Sequence, residues 1–435
     1  LFTDIIKYGG EMIFLYDPLW EYLNLNNISK SKFKELCGIS NTTVSKLTNN
    51  KNVSLEVISK ICDGLHCSID NVLIQARKGN MNSLFFNPKY QINTSLNTIS
   101  LFSGAGGLDL GLINAGFNIV FANDIYKPAI ENYSYNIGDI DSRDIRDIDA
   151  NELPSADVVI GGFPCQPFSS AGNRLGTDDD RGNLYLDVIR VIRSKKPKVV
   201  IMENVRGLLS MKNKDGSKLI DSIVYLLQNV EPGYKVTYKL VKASNYGVPQ
   251  NRFRVLIIGF RSDLNIDDYK FPEPIKTDPK KLTVGYALKG ITSKTPNADE
   301  VWKLSPQSQK LVDHIPEGGS WKNIPYEALP PRLKRIRDNM KKYHSPNFYR
   351  RYARTEINGT ITAAATPENS GIINPTHNRR YSVREVARIQ SFPDDYVFVG
   401  SSIPSKYKVI GNAVPPKLAH VMGDSIVRCL SEHKI

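Results

Sequence analysis

Two textures divide the chain. Over residues 12–75 the apolar positions recur three and four apart, the spacing of short amphipathic helices. Ser31–Gly38 reads as one such helix, stopped by Gly38, a residue that takes a left-handed turn without strain. Ile39-Ser40-Asn41 leads into a second, Thr42–Leu47, with Ser40 or Asn41 as its cap. Val44 and Leu47 lie on one face of it, whereas Asn41, Thr42, Thr43, Ser45 and Lys46 lie on the other. A third, Ser54–Gly64, carries Leu55, Ile58 and Ile61 at helical spacing. From Thr98 onward apolar runs alternate with helical stretches. Runs at Ile99–Phe102, Ile119–Ala122, Val158–Ile160, Val199–Met202 and Val255–Phe260 predict buried parallel strands. Helices are expected near 107–115, 127–135, 184–194 and 217–229. This is the rhythm of a doubly wound α/β domain.

Residues 76–97 are polar, rich in Asn and broken by Pro88, so they read as a linker. Residues 262–377 lose the α/β rhythm and turn rich in Pro, Lys and Arg. Helical patterns return in Val383–Gln390 and Pro415–Leu430. No internal repeat is visible. The first methionine is Met12, and residues 1–11 are expected to lie outside the fold.

Composition narrows the class. The chain has 435 residues, 41% of them hydrophobic and 23% charged, which excludes a mainly disordered protein. The longest apolar runs are too short to span a bilayer, and no charged-then-apolar leader opens the sequence. Five cysteines make no disulfide framework. A reducing, cytoplasmic compartment is expected. With 57 Lys and Arg against 44 Asp and Glu, the net charge of +13 points to a polyanionic partner as readily as to a solvated basic surface. In the first segment the balance is sharper, with five Lys and one acid from Ser29 to Lys51. Helix, glycine turn and a second helix with small polar residues outward is the helix-turn-helix pattern. Thr42, Thr43 and Lys46 would then face DNA, and the segment resembles Cro/repressor-type DNA-binding domains. A small helical bundle that mediates dimerisation is the alternative.

The chemistry begins where the first strand ends, in Leu101-Phe-Ser-Gly-Ala-Gly-Gly107. Glycines there let a backbone turn approach a ligand at a helix N-terminus. The pattern is not that of a dinucleotide site, because Asp109 stands where the last glycine would be. Asp124 follows the second strand, placed to accept hydrogen bonds from a ribose, and a third βα unit would bring Asp144 near the same pocket; taken singly, each reads better as a helix cap or a solvated surface residue. Gly161-Gly-Phe-Pro-Cys-Gln-Pro-Phe-Ser169 puts Cys165 between prolines on a loop at a strand's C-terminal end. Cys37, Cys62, Cys67 and Cys429 read as small buried hydrophobes. No His flanks Cys165 and no paired-Cys metal pattern is present. Lys198–Val205 is an apolar strand that ends in Glu203, a costly place for a carboxylate without a use. Gln250, Arg252 and Arg254 alternate along one further strand face, as an active-site strip or a surface salt-bridge strip.

These motifs resemble the DNA cytosine-5 methyltransferases of bacterial restriction–modification systems. The resemblance runs from about 98 to 432, through Phe102-Ser-Gly-Ala-Gly-Gly107, Phe163-Pro-Cys-Gln166, Glu203-Asn-Val205, Gln250-Asn-Arg-Phe-Arg254, Arg379-Arg-Tyr-Ser-Val-Arg-Glu385 and Gly411-Asn-Ala-Val414, in the family's order. Two departures are Ser100, where the family usually has Asp, and Asp124 in place of Glu. The resemblance implies a Rossmann-like catalytic domain (98–261 and 378–435) that uses S-adenosyl-L-methionine, with a target-recognition domain at 262–377. It implies Cys165 as nucleophile toward cytosine C6, Glu203 on N3 and the exocyclic amine, and Arg254 and Arg252, with Gln250, around the base and the Cys loop. Phe102, Gly104, Gly106, Asp124 (ribose), Asp144 (adenine), Phe163, Leu184, Asn412 and Ala413 would form the cofactor pocket, which brings the C-terminal segment back beside the first strand.

Double-stranded DNA is the implied substrate, with the target cytosine flipped from the stack. Between Pro330 and Arg354 nine Lys and Arg meet one acid among interleaved aromatics, which suits phosphate and base contacts by residues such as Arg350 and Arg351. Thr360 matches a phosphate-contacting Thr, and the stretch is similar to those for short G·C-rich palindromes such as GGNCC. Operator DNA is a second expected partner, through the N-terminal segment. Catalysis is expected from a monomer, with pairing on an operator left open. A tRNA cytosine-5 methyltransferase and a regulator with an inactive methylase half are the competing readings.

Overall fold

The computed structural model describes residues 12–16, 19–20, 22–23, 26, 28–48, 51–69, 72–77, 96–164, 184–213, 215–339 and 347–435. They fall into two compact units that divide between Leu84 and Phe85.

In the first unit β1 (Met12–Leu15) pairs antiparallel with β2 (Ile74–Arg77), bracketing three helices. The strands were not anticipated, since four residues apiece carry too little periodicity. Helix α1 (Lys30–Cys37) starts where Ser29 accepts from Lys32 N–H and stops at Gly38, which is left-handed. Helix α2 (Asn41–Thr48) is capped by Ser40, whose Oγ accepts from Thr43 N–H at 3.1 Å. Helix α3 (Leu55–Leu65) begins at the cap Ser54 and runs one residue past Gly64. Phe33, Leu47, Ile58 and Ile61 meet in its core, leaving Asn41, Thr42, Ser45 and Lys46 exposed and Thr43 half-buried. Cys37 is buried, and burial pushes its thiol up to about 11. Cys62 and Cys67 are half-buried with their thiols also pushed up by burial, which lowers their thiolate fraction.

The second unit is built on a six-stranded sheet: β3 (Leu96–Leu101), β4 (Phe117–Asn123), β5 (Val158–Gly161), β6 (Val199–Val205), β7 (Tyr234–Lys242) and β9 (Phe253–Arg261), in the order β4-β3-β5-β6-β9-β7. Helices α4 (Gly107–Ile113), α5 (Lys127–Asn136), α6 (Leu184–Lys195) and α7 (Leu219–Asn229) cover it. The apolar runs fill both faces. Val158, Ile160, Val199 and Ile201 enter one core; Val159, Val200 and Met202 enter the other. Burying each such side chain contributes about 1.5–3 kcal/mol.

Two expectations are corrected here. Strand β9 runs antiparallel to β6, not parallel, because β7 reaches it through residues 243–252, and a parallel partner would need a crossover of a dozen residues or more. Strand β7 itself was missed: as an edge strand its Tyr-Lys-Val-Thr-Tyr-Lys pattern alternates and forms no apolar run.

Beyond the sheet, β8 (Gln250–Asn251) pairs with β10 (Asn358–Gly359). Between them lie α8 (Val284–Leu288), α9 (Pro306–Val312) and α10 (Pro331–Asp338). Helices α11 (Val383–Ile389), α12 (Ile403–Asn412) and α13 (Pro416–Glu432) complete the unit. Helix α13 lies directly on α4: a Cβ at Gly111 would strike Pro416 O and Ala419. The residues 262–377 hold their own core around Trp321, Leu333, Phe348 and Ile373. Residues 1–11, the linker residues 78–95, and 340–346 lie outside the described residues. Among the described residues no helix is long and apolar enough to cross a membrane, and no cluster of side chains could hold a metal ion.

Candidate active site

Register fixes where the predicted residues meet. Leu101 stands opposite both Asn123 and Gly161, and Gly161 opposite Met202. The residues that follow these positions therefore emerge along one edge of the sheet: Phe102–Gly106, Asp124, Gly162–Phe163 and Glu203. Arg254 joins them opposite Val205 on β9.

The turn after β3 is left-handed three times, at Phe102 (φ 57°), Gly104 (φ 59°) and Gly106 (φ 71°). Phe102 is a bulky residue in a region that costs about 1 kcal/mol or more, a strain characteristic of functional turns. Gly106 has no alternative, because a Cβ there would enter Ile137 and the Tyr133 ring. Asp124 binds the turn from the neighbouring strand, its Oδ2 accepting from Gly104 N–H at 2.8 Å and its Oδ1 from Tyr126 N–H at 2.7 Å. Burial raises its carboxyl above the ordinary range. With backbone donors at Gly104, Tyr126 and Ile125, the carboxylate keeps acceptor capacity for a further hydroxyl. Among the described residues nothing lies within 4 Å of where a Gly104 Cβ would be, which leaves room there for a ligand. Ile125 beside it is 62% exposed, an apolar surface at the rim that sequence patterning did not flag.

The other cofactor candidates divide. Ala413 abuts the turn's helix, its Cβ 3.1 Å from where a Gly107 Cβ would stand, while Asn412 is exposed beside it. Phe163 and Leu184 are buried in the core below the site, with Phe163 tilted against Tyr185. Asp144 caps a short turn and pairs with Arg146 at 2.7 Å, which holds its carboxyl below the ordinary range.

At the catalytic end, Glu203 and Arg254 form a buried ion pair, Nε to Oε1 at 2.6 Å. Burial raises the Glu203 carboxyl, and the guanidinium partly offsets this; burial lowers Arg254, with the carboxylate opposing. Asn204, next along the strand, donates from Nδ2 to Phe163 O at 3.1 Å and so anchors the root of the Pro-Cys loop beside Glu203. A Cβ at Gly162 would lie 3.6 Å from Glu203 Oε2. Cys165 lies outside the described residues.

Gln250 and Arg252 do not reach this pair. Both are fully buried, which excludes the surface strip, and both knit distant segments. Arg252 donates to Ile361 O, Gly411 O and Ala413 O at 2.9, 2.6 and 3.1 Å. Gln250 accepts from Ile361 N–H and donates to Gln390 Oε1, whose own amide donates to Ala413 O. Arg252→Met strands three carbonyls and is expected to cost about 3–5 kcal/mol in denaturant unfolding.

The DNA-facing candidates beyond residue 262 also split. Thr360 is half-buried with its hydroxyl donating to Asn251 O at 2.7 Å. Arg350 and Arg351 are both engaged by partners within the protein. Arg350 binds Gly318 O, Gly319 O and Glu356 and stacks on Tyr352. Arg351 is 5% exposed and binds Val312 O and Asn378 Oδ1. Their backbone needs two guanidinium braces where residues 312–319 pass, which sequence charge counting does not reveal.

One buried acid was overlooked. Asp109, on α4, accepts from Ser100 Oγ and Tyr133 Oη, and burial pushes its carboxyl up to about 6 against the ordinary 3.8. The folded value lies above the unfolded one, so this group's contribution falls as pH rises from about 4 to about 6. The stability difference between Asp109→Asn and wild type should therefore move by about 3 kcal/mol in favour of the variant across that window, read by urea unfolding.

Comparison with known proteins gives the family. Residues 96–428 match the C-5 cytosine-specific DNA methylase family, and residues 18–74 match the Cro/C1-type helix-turn-helix DNA-binding domain. The chain is 38% identical to the type II methyltransferase M.NgoFVII of Neisseria gonorrhoeae over 76% of its own length and 84% of the relative's. It is 31% identical to M.Sau96I of Staphylococcus aureus over 94% and 96%. A crystallised prophage-encoded protein described as a DNA modification methyltransferase (E. coli) superposes with a TM-score of 0.56 at 25% identity, covering 78% of this chain and all of that one. The chain belongs to the C-5 cytosine-specific DNA methylases, and carries a Cro/C1-type helix-turn-helix domain ahead of the catalytic unit.

Proposed function

We propose that this methylase transfers a methyl group from S-adenosyl-L-methionine to C5 of a flipped cytosine in a short duplex sequence, through a Cys165 adduct, and so protects host DNA from a partner endonuclease. The buried Glu203–Arg254 pair at the root of the Pro-Cys loop carries this reading. C5 of cytosine is a poor nucleophile until a thiolate adds at C6. Burial raises the Glu203 carboxyl above its ordinary range, and in its protonated form it donates to N3 and stabilises the charge that develops as Cys165 adds. Arg254 orients Glu203 through Nε and donates from Nη1 to Phe253 O, so Nη2 is the nitrogen it would offer the base. Removal of the C5 proton then releases Cys165 and restores the ring.

The cofactor, when bound, supplies an electrophilic methyl. The residues present fit it: Gly104 offers open backbone, Asp124 retains acceptor capacity for ribose hydroxyls, and Ala413 closes the side next to α4. Asp144 would reach the adenine only with its Arg146 pair rearranged or shared. Bisulfite sequencing of host DNA, after expression in a strain without cytosine methylation, tests the reading. Full modification at one short G·C-rich palindrome, such as GGNCC, is the expected result. Methyl groups entering tRNA but not duplex DNA would overturn it.

The helix-turn-helix unit supports a second activity, repression of the protein's own operon, with Thr42, Thr43 and Lys46 against the major groove. In gel shifts the full chain should prefer its own upstream DNA, and Lys46→Ala should weaken that preference while leaving methylation intact; equal binding to unrelated DNA would remove this activity.

A further inference from the structure

Beneath the cofactor turn lies an acid that the proposed chemistry does not use. Asp109 is wholly buried, and a carboxylate is costly to bury unless its hydrogen bonds do something. Two lines of contact run from it to the turn. In the first, Asn123 N–H donates to Ser103 Oγ at 3.3 Å, Ser103 Oγ donates to Ser100 Oγ at 2.8 Å, and Ser100 Oγ donates to Asp109 Oδ1 at 2.9 Å. A hydroxyl can face either way, whereas an ionised carboxylate only accepts. Asp109 therefore draws the Ser100 proton toward itself and leaves Ser100 Oγ to accept from Ser103, whose hydroxyl also lies 3.1 Å from Ser100 O.

In the second line, Tyr133 Oη donates to Asp109 Oδ2 at 2.8 Å while its ring lies under Gly106, 3.0 Å from where a Cβ would stand. Ser103 and Gly106 bracket Gly104, whose N–H meets Asp124. Both flanks of the turn thus hang from one carboxylate.

We propose that Asp109 is a positioning residue for S-adenosylmethionine binding, acting through Ser100 and Tyr133 to hold residues 102–106 in the path that joins Gly104 to Asp124. It sets cofactor affinity and leaves the methyl-transfer step alone. This rests on the cofactor reading above. An acid in the first turn of a helix also favours the helix dipole, but that role changes stability without singling out one ligand.

Isothermal titration of the full chain with S-adenosylmethionine distinguishes the two. Duplex affinity without cofactor, and kcat at saturating cofactor, are measured in parallel. Asp109→Ala is expected to weaken cofactor binding about tenfold or more, since it removes two hydrogen bonds to a charged group, and Tyr133→Phe about three- to tenfold. Duplex affinity should stay within about twofold and kcat within about threefold. Asp109→Asn should fall between, because its amide oxygen still accepts one hydroxyl. The exchange Ser100→Asp with Asp109→Ser should recover most of the loss, since it keeps a carboxylate and a hydroxyl on the two sides of that hydrogen bond. Should Asp109→Ala not fold, Tyr133→Phe, which deletes one atom, decides the matter. Cofactor affinity within twofold of wild type in these variants, or parallel losses for cofactor and duplex, would overturn the inference. A wild-type chain that binds no cofactor would instead remove the cofactor reading, and this inference with it.

Discussion

Methylation at the target site should drop to background in Cys165→Ala, by roughly four to six orders of magnitude, as expected when a covalent nucleophile is removed. Bisulfite sequencing of wild type and variant expressed side by side reads the effect. Cofactor and duplex affinities should stay near wild type, because the substitution removes only the thiol and alters neither the turn after β3 nor the helices of the helix-turn-helix unit. An unactivated thiol near pKa 8.5 is only a few per cent ionised at neutral pH. The variant loses the one group able to add at C6, and the base then has no route to a nucleophilic C5. Residual site-specific methylation within tenfold of wild type would assign the nucleophile elsewhere.

The second large effect belongs to Glu203. Glu203→Gln should lower kcat about 10²–10³-fold, the usual loss when a buried group that stabilises developing charge is removed. The pH profile carries the mechanism. Burial holds the Glu203 carboxyl above its ordinary range, so its protonated form persists to higher pH than in water. Activity should rise with pH as the Cys165 thiol ionises and fall as Glu203 loses its proton. In Glu203→Gln the amide donates at every pH, and the falling limb should vanish. Arg254 acts in the opposite sense to burial, since its positive charge favours the Glu203 anion. Arg254→Met should therefore move the falling limb to higher pH while lowering kcat. A falling limb unchanged in Glu203→Gln would assign it to another group.

Much of this was legible in the sequence because the relevant signals are local. A buried parallel strand shows as an apolar run, and the glycines of a tight turn, a loop Cys between prolines and a Glu at a strand end all announce themselves within ten residues. What sequence patterning missed depends on contacts far apart in the chain. Gln250 and Arg252 share a motif with Arg254, yet they tie Ile361, Gln390 and Gly411–Ala413 together, over separations of 109 to 161 residues. Arg350 and Arg351 look like a basic patch until their carbonyl partners are seen. Asp109 stood out in the sequence only as a missing glycine, and its partners Ser100 and Tyr133 come from a strand and a separate helix.

The seating of α13 on α4 has a bearing on the order in which the protein comes to life. The helix-turn-helix unit precedes the sheet and has its own core, so it can fold while the ribosome is still translating the rest. The cofactor turn, by contrast, is flanked by Ala413 and backed by a helix that ends at Glu432. A nascent or prematurely stopped chain would carry a finished DNA reader and an unfinished methylase. During synthesis, occupancy of DNA by the small unit would precede any modification by the large one.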